Sequence, residues 1–146
     1  MVDVLTRGHR PAWLAPVGVG MLGMAAVGVL AVVDPEQRGA VTPNCPFRAV
    51  TGLDCPGCGG TRAVYALLQG DLPSALDHNA LAVLLTLPLL GVAWALWLSA
   101  GLGWRAKPPT LTPRTTYGLL AVIMVFWIVR NLPVEPLAWL GSGAAG

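Results

Sequence analysis

Charge is what this chain has least of. Only 11% of its 146 residues are Asp, Glu, Lys or Arg, while 55% are hydrophobic; a water-soluble domain carries about a quarter of its residues charged. The shortage excludes an ordinary soluble domain and points to a membrane protein. Nine Lys and Arg against seven Asp and Glu, with no long basic run, leave no electrostatic footprint for a nucleic-acid partner. There is no Gly-rich phosphate loop, no His-Glu-x-x-His, no paired carboxylates around a credible water and no nucleophile-base-orienter set, so the case for an enzyme is thin. No repeat with a period of roughly 20 to 50 residues is visible. Cysteine is scarce as well: there are three, all between positions 45 and 58.

The apolar residues come in long runs. Ala12 to Val33 is 22 residues without a charge, and a bilayer core needs about 20 helical residues. A cleaved signal peptide is the competing reading, with Val29-Leu30-Ala31 as a weak cleavage site, but the run exceeds the roughly 7 to 15 apolar residues such a peptide uses. Ala80 to Trp104 supplies 25 uncharged residues. Pro88 inside them predicts a kink, and Trp94, Trp97 and Trp104 gather toward the far end, where indoles favour headgroups. Thr115 to Val129 gives only 15 uncharged residues, about 22 Å of helix, so Arg114 and Arg130 must snorkel or find partners. The expected fold is an all-α integral membrane protein forming a single membrane domain over 1–146. Its transmembrane helices are expected at about 12–33, 80–104 and 115–131, with a cysteine-rich loop and a short interfacial helix within 34–79.

Charge sorts the connections onto two sides. The lead, with Arg7 and Arg10, and the 105–114 connection together hold five Lys or Arg and one acid; the 34–79 segment and the tail hold four basic and six acidic residues. Lys and Arg in short loops stay inside. The N-terminus is therefore expected inside, with the cysteine loop and C-terminus outside.

The chemistry is concentrated in Cys45 to Arg62, C-P-F-R-A-V-T-G-L-D-C-P-G-C-G-G-T-R. Pro56, Gly57, Gly59 and Gly60 force a tight turn around the C-x-x-C pair Cys55 and Cys58. Two thiolates on such a knuckle can grip one metal at about 2.3 Å each, or close as a disulfide. Thr61 is placed to cap a helix running from Arg62 to Gln69, Gly70 to stop it, and Asp71 to cap the next helix with Pro73 in its first turn.

The runs C-P-G-C-G-G-T-R-A at 55–63, L-L-Q-G-D-L at 67–72, D-H-N-A-L at 77–81 and R-N-L-P at 130–133 resemble the small bacterial membrane proteins of the domain-of-unknown-function 2752 family. Its pattern is C-P-x-C-G-x-T-R-A, then G-D, then an Asn before the second span; Ala80 stands where the family often has proline. The resemblance implies a fold and a bacterial cytoplasmic membrane, and no activity.

Three readings of the cysteines stay open. Three thiolates and a fourth ligand make a tetrahedral zinc site, with His78 as the candidate and His9 on the opposite side. Cys55 and Cys58 could instead cycle between dithiol and disulfide, exchanging with Cys45. Or two of the three form a disulfide that staples the loop. Thr61, Arg62, Asp71, Asp77, Asn79 and Arg130 form a second set, expected to fasten the cysteine loop to the bundle, with Asp77 as the proposed partner of Arg130. The expected role is an assembly or interaction component bearing an extracytoplasmic cysteine knuckle, with lipid and other membrane proteins as partners. A membrane thiol-disulfide oxidoreductase is the alternative.

Overall fold

The computed structural model describes residues 11–35, 45–104 and 110–132, and the described residues are helical with no strand. The lead with Arg7, His9 and Arg10, the 36–44 stretch, Arg105 and Lys107, and the tail with Trp139 lie outside the described residues. In order the elements are α1 (Leu14–Val32), α2 (Pro46–Thr51), α3 (Gly60–Leu68), α4 (Leu72–Leu81), a π-helical turn (Ala82–Thr86), α5 (Leu87–Gly101) and α6 (Pro113–Arg130).

Two helices are long and apolar enough to cross a membrane: α1, and the 30-residue run Leu72–Gly101 made of α4, the π turn and α5. Almost none of either apolar window is buried within the protein. Side chains such as Met21, Leu22, Val29, Leu84 and Leu90 face outward, as they do on helices solvated by hydrocarbon. The expected third span corresponds to α6, 18 residues with Arg114 near one end and Arg130 at the other. Its charged ends keep it out of the set of spanning candidates, which holds two helices where the sequence reading expects three.

α1 and α5 lie antiparallel. The start of α1 meets the end of α5, where Gly101 approaches the backbone of Ala12 and Trp13. Further along, the Trp94 indole covers Gly20, where any side chain would collide with the ring, and donates to the Pro16 carbonyl at 2.9 Å. Trp94 is thus an interhelical wedge, not the headgroup anchor expected from its position.

The second long run bends, but not at Pro88. Asn79 has an extended backbone (φ −165°, ψ 90°) that breaks the helix between α4 and the π turn, and its Oδ1 accepts from the Ala82 N–H at 2.8 Å. That is an N-cap for the restarted helix. Ala80 follows directly as its first residue, a position that tolerates proline. Pro88 lies in the first turn of α5, just after the π turn, and the Thr86 hydroxyl donates to the Leu81 carbonyl at 3.4 Å. The wider turn before the proline relieves the missing hydrogen bond, so the break sits upstream at Asn79.

α3 and α4 form a close hairpin. Gly70 (φ +79°) ends α3, with Asp71 N–H bonding Ala66 O and Gly70 N–H bonding Leu67 O, the paired C-terminal bonds of a Schellman stop. Asp71 then caps α4, accepting from the Ser74 N–H at 3.0 Å and the Ser74 hydroxyl at 2.7 Å. The interface is built of small residues, with Ala63, Ala66 and Ala75 buried. α3 begins at Gly60, with Gly59 (φ +81°) preceding it in left-handed conformation and no side-chain cap. Thr61 is therefore inside the helix, and the expected start at Arg62 is two residues late. Glycine is required at 59 twice over: for its φ, and because a side chain would strike the His78 carbonyl on α4.

Candidate functional site

The C-P-G-C turn sits where α3, α4 and the C-terminal end of α6 meet. Its own backbone closes it, with Cys58 N–H to Cys55 O at 3.1 Å and Gly60 N–H to Gly57 O at 3.0 Å. The Cys55 N–H also donates to Cys58 Sγ at 3.1 Å. These bonds leave the carbonyls of Pro56 and Cys58 to be satisfied from outside, and leave the Cys55 carbonyl room for a second donor.

Two side chains from distant elements meet those carbonyls. Asn79 Nδ2 donates to Pro56 O at 2.9 Å and Cys58 O at 3.0 Å. Arg130, buried at the end of α6, reaches Cys55 O at 3.3 Å, Pro56 O at 3.5 Å and Cys58 O at 3.2 Å. A planar guanidinium suits this task, because its fixed fork presents several donors to converging oxygens. Its carbon also lies 5.1 Å from the centroid of the Phe126 ring.

The residue before the turn is held just as closely. Asn131 accepts from the Asp54 N–H at 2.8 Å and donates back to the Asp54 carbonyl at 2.9 Å, so one amide pairs with both backbone groups of one residue. The Trp127 indole N–H also donates to Asp54 O at 2.9 Å. The Asp54 carboxylate accepts from Arg48 on α2 at 2.7 Å and stands 3.9 Å from Arg130. Phe47 packs edge-on to Trp127 at 6.1 Å between centroids.

The partner of Arg130 is accordingly Asp54, not Asp77. Asp77 faces outward on α4, whereas Asp54 sits on the same turn whose carbonyls Arg130 already binds. Of the expected polar set, Asn79 and Arg130 converge on the knuckle, Asp71 caps α4, and Thr61 and Asp77 are exposed. Arg62 is half-buried on α3. Sequence reasoning missed Arg48, Asp54, Trp127, Asn131 and the short helix α2. Asp54 and Asn131 adjoin the motif residues Cys55 and Arg130, but contacts across more than 70 residues leave no local periodicity to read.

The three sulfurs come together. The ligand atoms of Cys45, Cys55 and Cys58 all lie within 4.8 Å of one another, an arrangement able to hold a metal ion, and His78 is not among the group. Cys45 Sγ is 3.5 Å from Cys55 Sγ, and Cys58 Sγ is 2.7 Å from Cys55 Sγ, with no disulfide formed. α2 performs the recruitment: Cys45 directly precedes it, Pro46 fits its first turn, and Gly52 (φ +72°) ends it, so that ten residues fold back on themselves. The Cys45 thiol is held below its ordinary range, chiefly by the Arg48 backbone N–H, with Cys58 next. Burial pushes the Cys58 thiol up to about 12, with the hydrogen bond to Cys55 adding to it. A buried thiol keeps its proton until a cation takes that proton's place.

Residues 45–94, running from the first cysteine to the middle of α5, match the model of a family described as protein of unknown function, DUF2752. The resemblance read from the motifs stands. No curated protein and no solved structure matches the chain. The match covers the knuckle, the α3–α4 hairpin and the break at Asn79; Arg130 and Asn131, which clamp the knuckle, lie beyond it.

Proposed function

We propose that the cysteine knuckle is a structural metal centre of an integral membrane protein, with zinc as the resident ion, and that its role is to fasten the loop between the first two spans to the end of the third helix. The observation that carries this reading is the convergence of three sulfurs, one of them brought back by a dedicated helix. A tetrahedral site with Zn–S bonds of about 2.3 Å spaces its sulfurs by about 3.8 Å. Cys45 and Cys55, at 3.5 Å, are near that spacing, and Cys58 must open by about 1 Å from Cys55. Binding releases the thiol protons to solvent.

Charge supports the same reading. A divalent ion with three thiolates carries one net negative charge; Arg48 and Arg130 against Asp54 carry one net positive charge beside it. The fourth ligand is left to water, His78 or a partner protein.

The remaining parts of the reading are topological. α1, α4–α5 and α6 serve as three spans, with Arg130 held within the knuckle in place of snorkelling. The knuckle lies at the extracytoplasmic face of a bacterial cytoplasmic membrane, because the 105–114 connection at the other end is basic and lacks any acid. The protein acts as an assembly or interaction component.

The 2.7 Å approach of Cys55 and Cys58 favours a second reading, a dithiol that passes two electrons and two protons to an acceptor as it closes to a disulfide. Elemental analysis and thiol counting on detergent-purified protein separate the two. One zinc per chain with three thiols protected until chelation supports the metal centre. A metal-free protein with a reversible disulfide supports the redox reading and overturns the first.

A further inference from the structure

We infer that Cys45 is the movable ligand of the metal centre, and that a disulfide-bearing oxidant releases the ion by joining Cys45 to Cys55; this regulation rests on the metal reading above. The three cysteines are held unequally. Cys55 and Cys58 lie on a turn whose carbonyls are bound by Asn79 and Arg130, and the residue before it, Asp54, is bound by Asn131 and Trp127. Among the described residues the Cys45 backbone bonds only within its own helix, its carbonyl accepting from the Ala49 N–H at 3.0 Å. Side chains dock that helix, with Phe47 edge-on to Trp127 and Arg48 paired to Asp54. Two ligands thus sit on a clamped turn, and the third is carried on a helix of six residues.

Access selects the pair that closes. Cys58 is buried, whereas Cys45 and Cys55 are part-exposed. With an ion bound, tetrahedral geometry spaces the sulfurs by about 3.8 Å, so the 2.7 Å contact of Cys55 with Cys58 gives that pair no advantage in the loaded centre. Cys45 and Cys55, 3.5 Å apart, must close by roughly 1.5 to 2 Å to reach the length of a disulfide, and α2 supplies that shift while the turn stays clamped. In the first step the Cys45 thiolate attacks one sulfur of the external disulfide, whose S–S bond breaks and whose other half leaves as a thiolate. The Cys55 thiolate then attacks the Cys45 sulfur and displaces the second half, so two electrons have passed from the two cysteines to the oxidant. The ion loses two of its three protein ligands and departs, and Cys58 takes a proton from solvent. The new bond replaces the metal as the tie between α2 and the turn. On the extracytoplasmic side proposed above, disulfides persist and supply the oxidant.

The test treats the full chain, loaded with zinc in detergent, with glutathione disulfide. Zinc release is followed with a chromophoric chelator, and disulfides are mapped by mass spectrometry after alkylation. Release of one zinc for each Cys45–Cys55 disulfide formed is expected, reversed by dithiothreitol and added zinc. The Asp54 amide, which donates to Asn131 on the clamped side, should keep its protection from hydrogen exchange throughout. Phe47→Ala frees α2 from Trp127 without touching a ligand, and should speed release about threefold at equal oxidant, the order expected from losing one edge-on aromatic contact. A protein that binds no zinc at the outset overturns both this inference and the metal reading. Zinc retained under oxidant, zinc lost with a Cys55–Cys58 disulfide, loss of protection at Asp54, or a release rate indifferent to Phe47→Ala overturns this inference alone and leaves the metal centre standing.

Discussion

The α1–α5 pair and the knuckle with the end of α6 are stabilised in different ways. Along α1 and α5 the side chains are apolar on all sides and exposed to what surrounds the protein, and the one described polar bond between them joins Trp94 to the Pro16 carbonyl. At the knuckle, five hydrogen bonds from Asn79 and Arg130 converge on three carbonyls, and three more tie Trp127 and Asn131 to the Asp54 backbone. The first region needs length, hydrophobicity and small residues at its two close approaches, Gly20 and Gly101, which many sequences satisfy. The second needs particular donors at particular atoms, because a buried carbonyl left unpaired costs about 1 to 3 kcal/mol. α6 belongs to both: its middle is apolar and exposed, while its last turn docks by polar bonds.

If that contrast is right, substitutions should separate by region. The largest effect is expected for Arg130→Ala, which removes three charge-assisted bonds to the turn's carbonyls, empties a buried site at the end of α6 and takes away one of the two cations beside Asp54. A loss of about 3 to 5 kcal/mol is expected in thermal or denaturant unfolding in detergent. Arg130→Lys, which keeps the charge but not the fork, should recover only part of it. An Ala variant as stable as wild type would mean that α6 does not hold the knuckle. Next comes Asn79→Ala, which removes two donated bonds and the cap on Ala82 together; roughly 2 to 3 kcal/mol is expected, with a raised hydrogen-exchange rate at the Ala82 amide.

Smaller still is Asp71, an exposed cap whose carboxyl is held below its usual range chiefly by the Ser74 N–H. A lowered folded-state pKa means that its contribution is complete above the unfolded value of about 3.9 and fades as pH falls through the folded one. Asp71→Asn should therefore flatten the acid limb of a stability profile and leave neutral pH little changed. The smallest effect is expected in the spans: Leu90→Ile and Val122→Leu, both exposed, should stay within about 0.5 kcal/mol. A large loss there would show that these faces are packed against protein.

Much of the fold was legible because it follows from runs and punctuation. The uncharged stretches mark α1 and α5, Gly70 and Asp71 mark the α3–α4 corner, and the C-x-x-C spacing marks the turn. What was not legible depends on distant pairing. Pro88 attracts attention as a breaker, yet the break is at Asn79, whose side chain both caps the next helix and binds the Cys58 carbonyl from 21 residues away. Arg130 was recognisable as a cation in need of a partner. Its choice of Asp54 over Asp77 rests on which acid the fold turns inward, and charge counting does not carry that information. α2 was passed over because six residues are too few to show a helical period.

The central claim is that Cys45 joins the C-x-x-C pair in a single metal centre, and cobalt substitution tests it most directly. Titrating metal-free, reduced protein with cobalt(II) in detergent should give thiolate-to-cobalt charge-transfer absorption that saturates at one ion per chain and is bleached by zinc. In Cys45→Ser that absorption should fall by about a third, in proportion to the thiolates bound, and the site should weaken. Charge-transfer absorption indifferent to Cys45→Ser, or absent from the wild type, would contradict the claim.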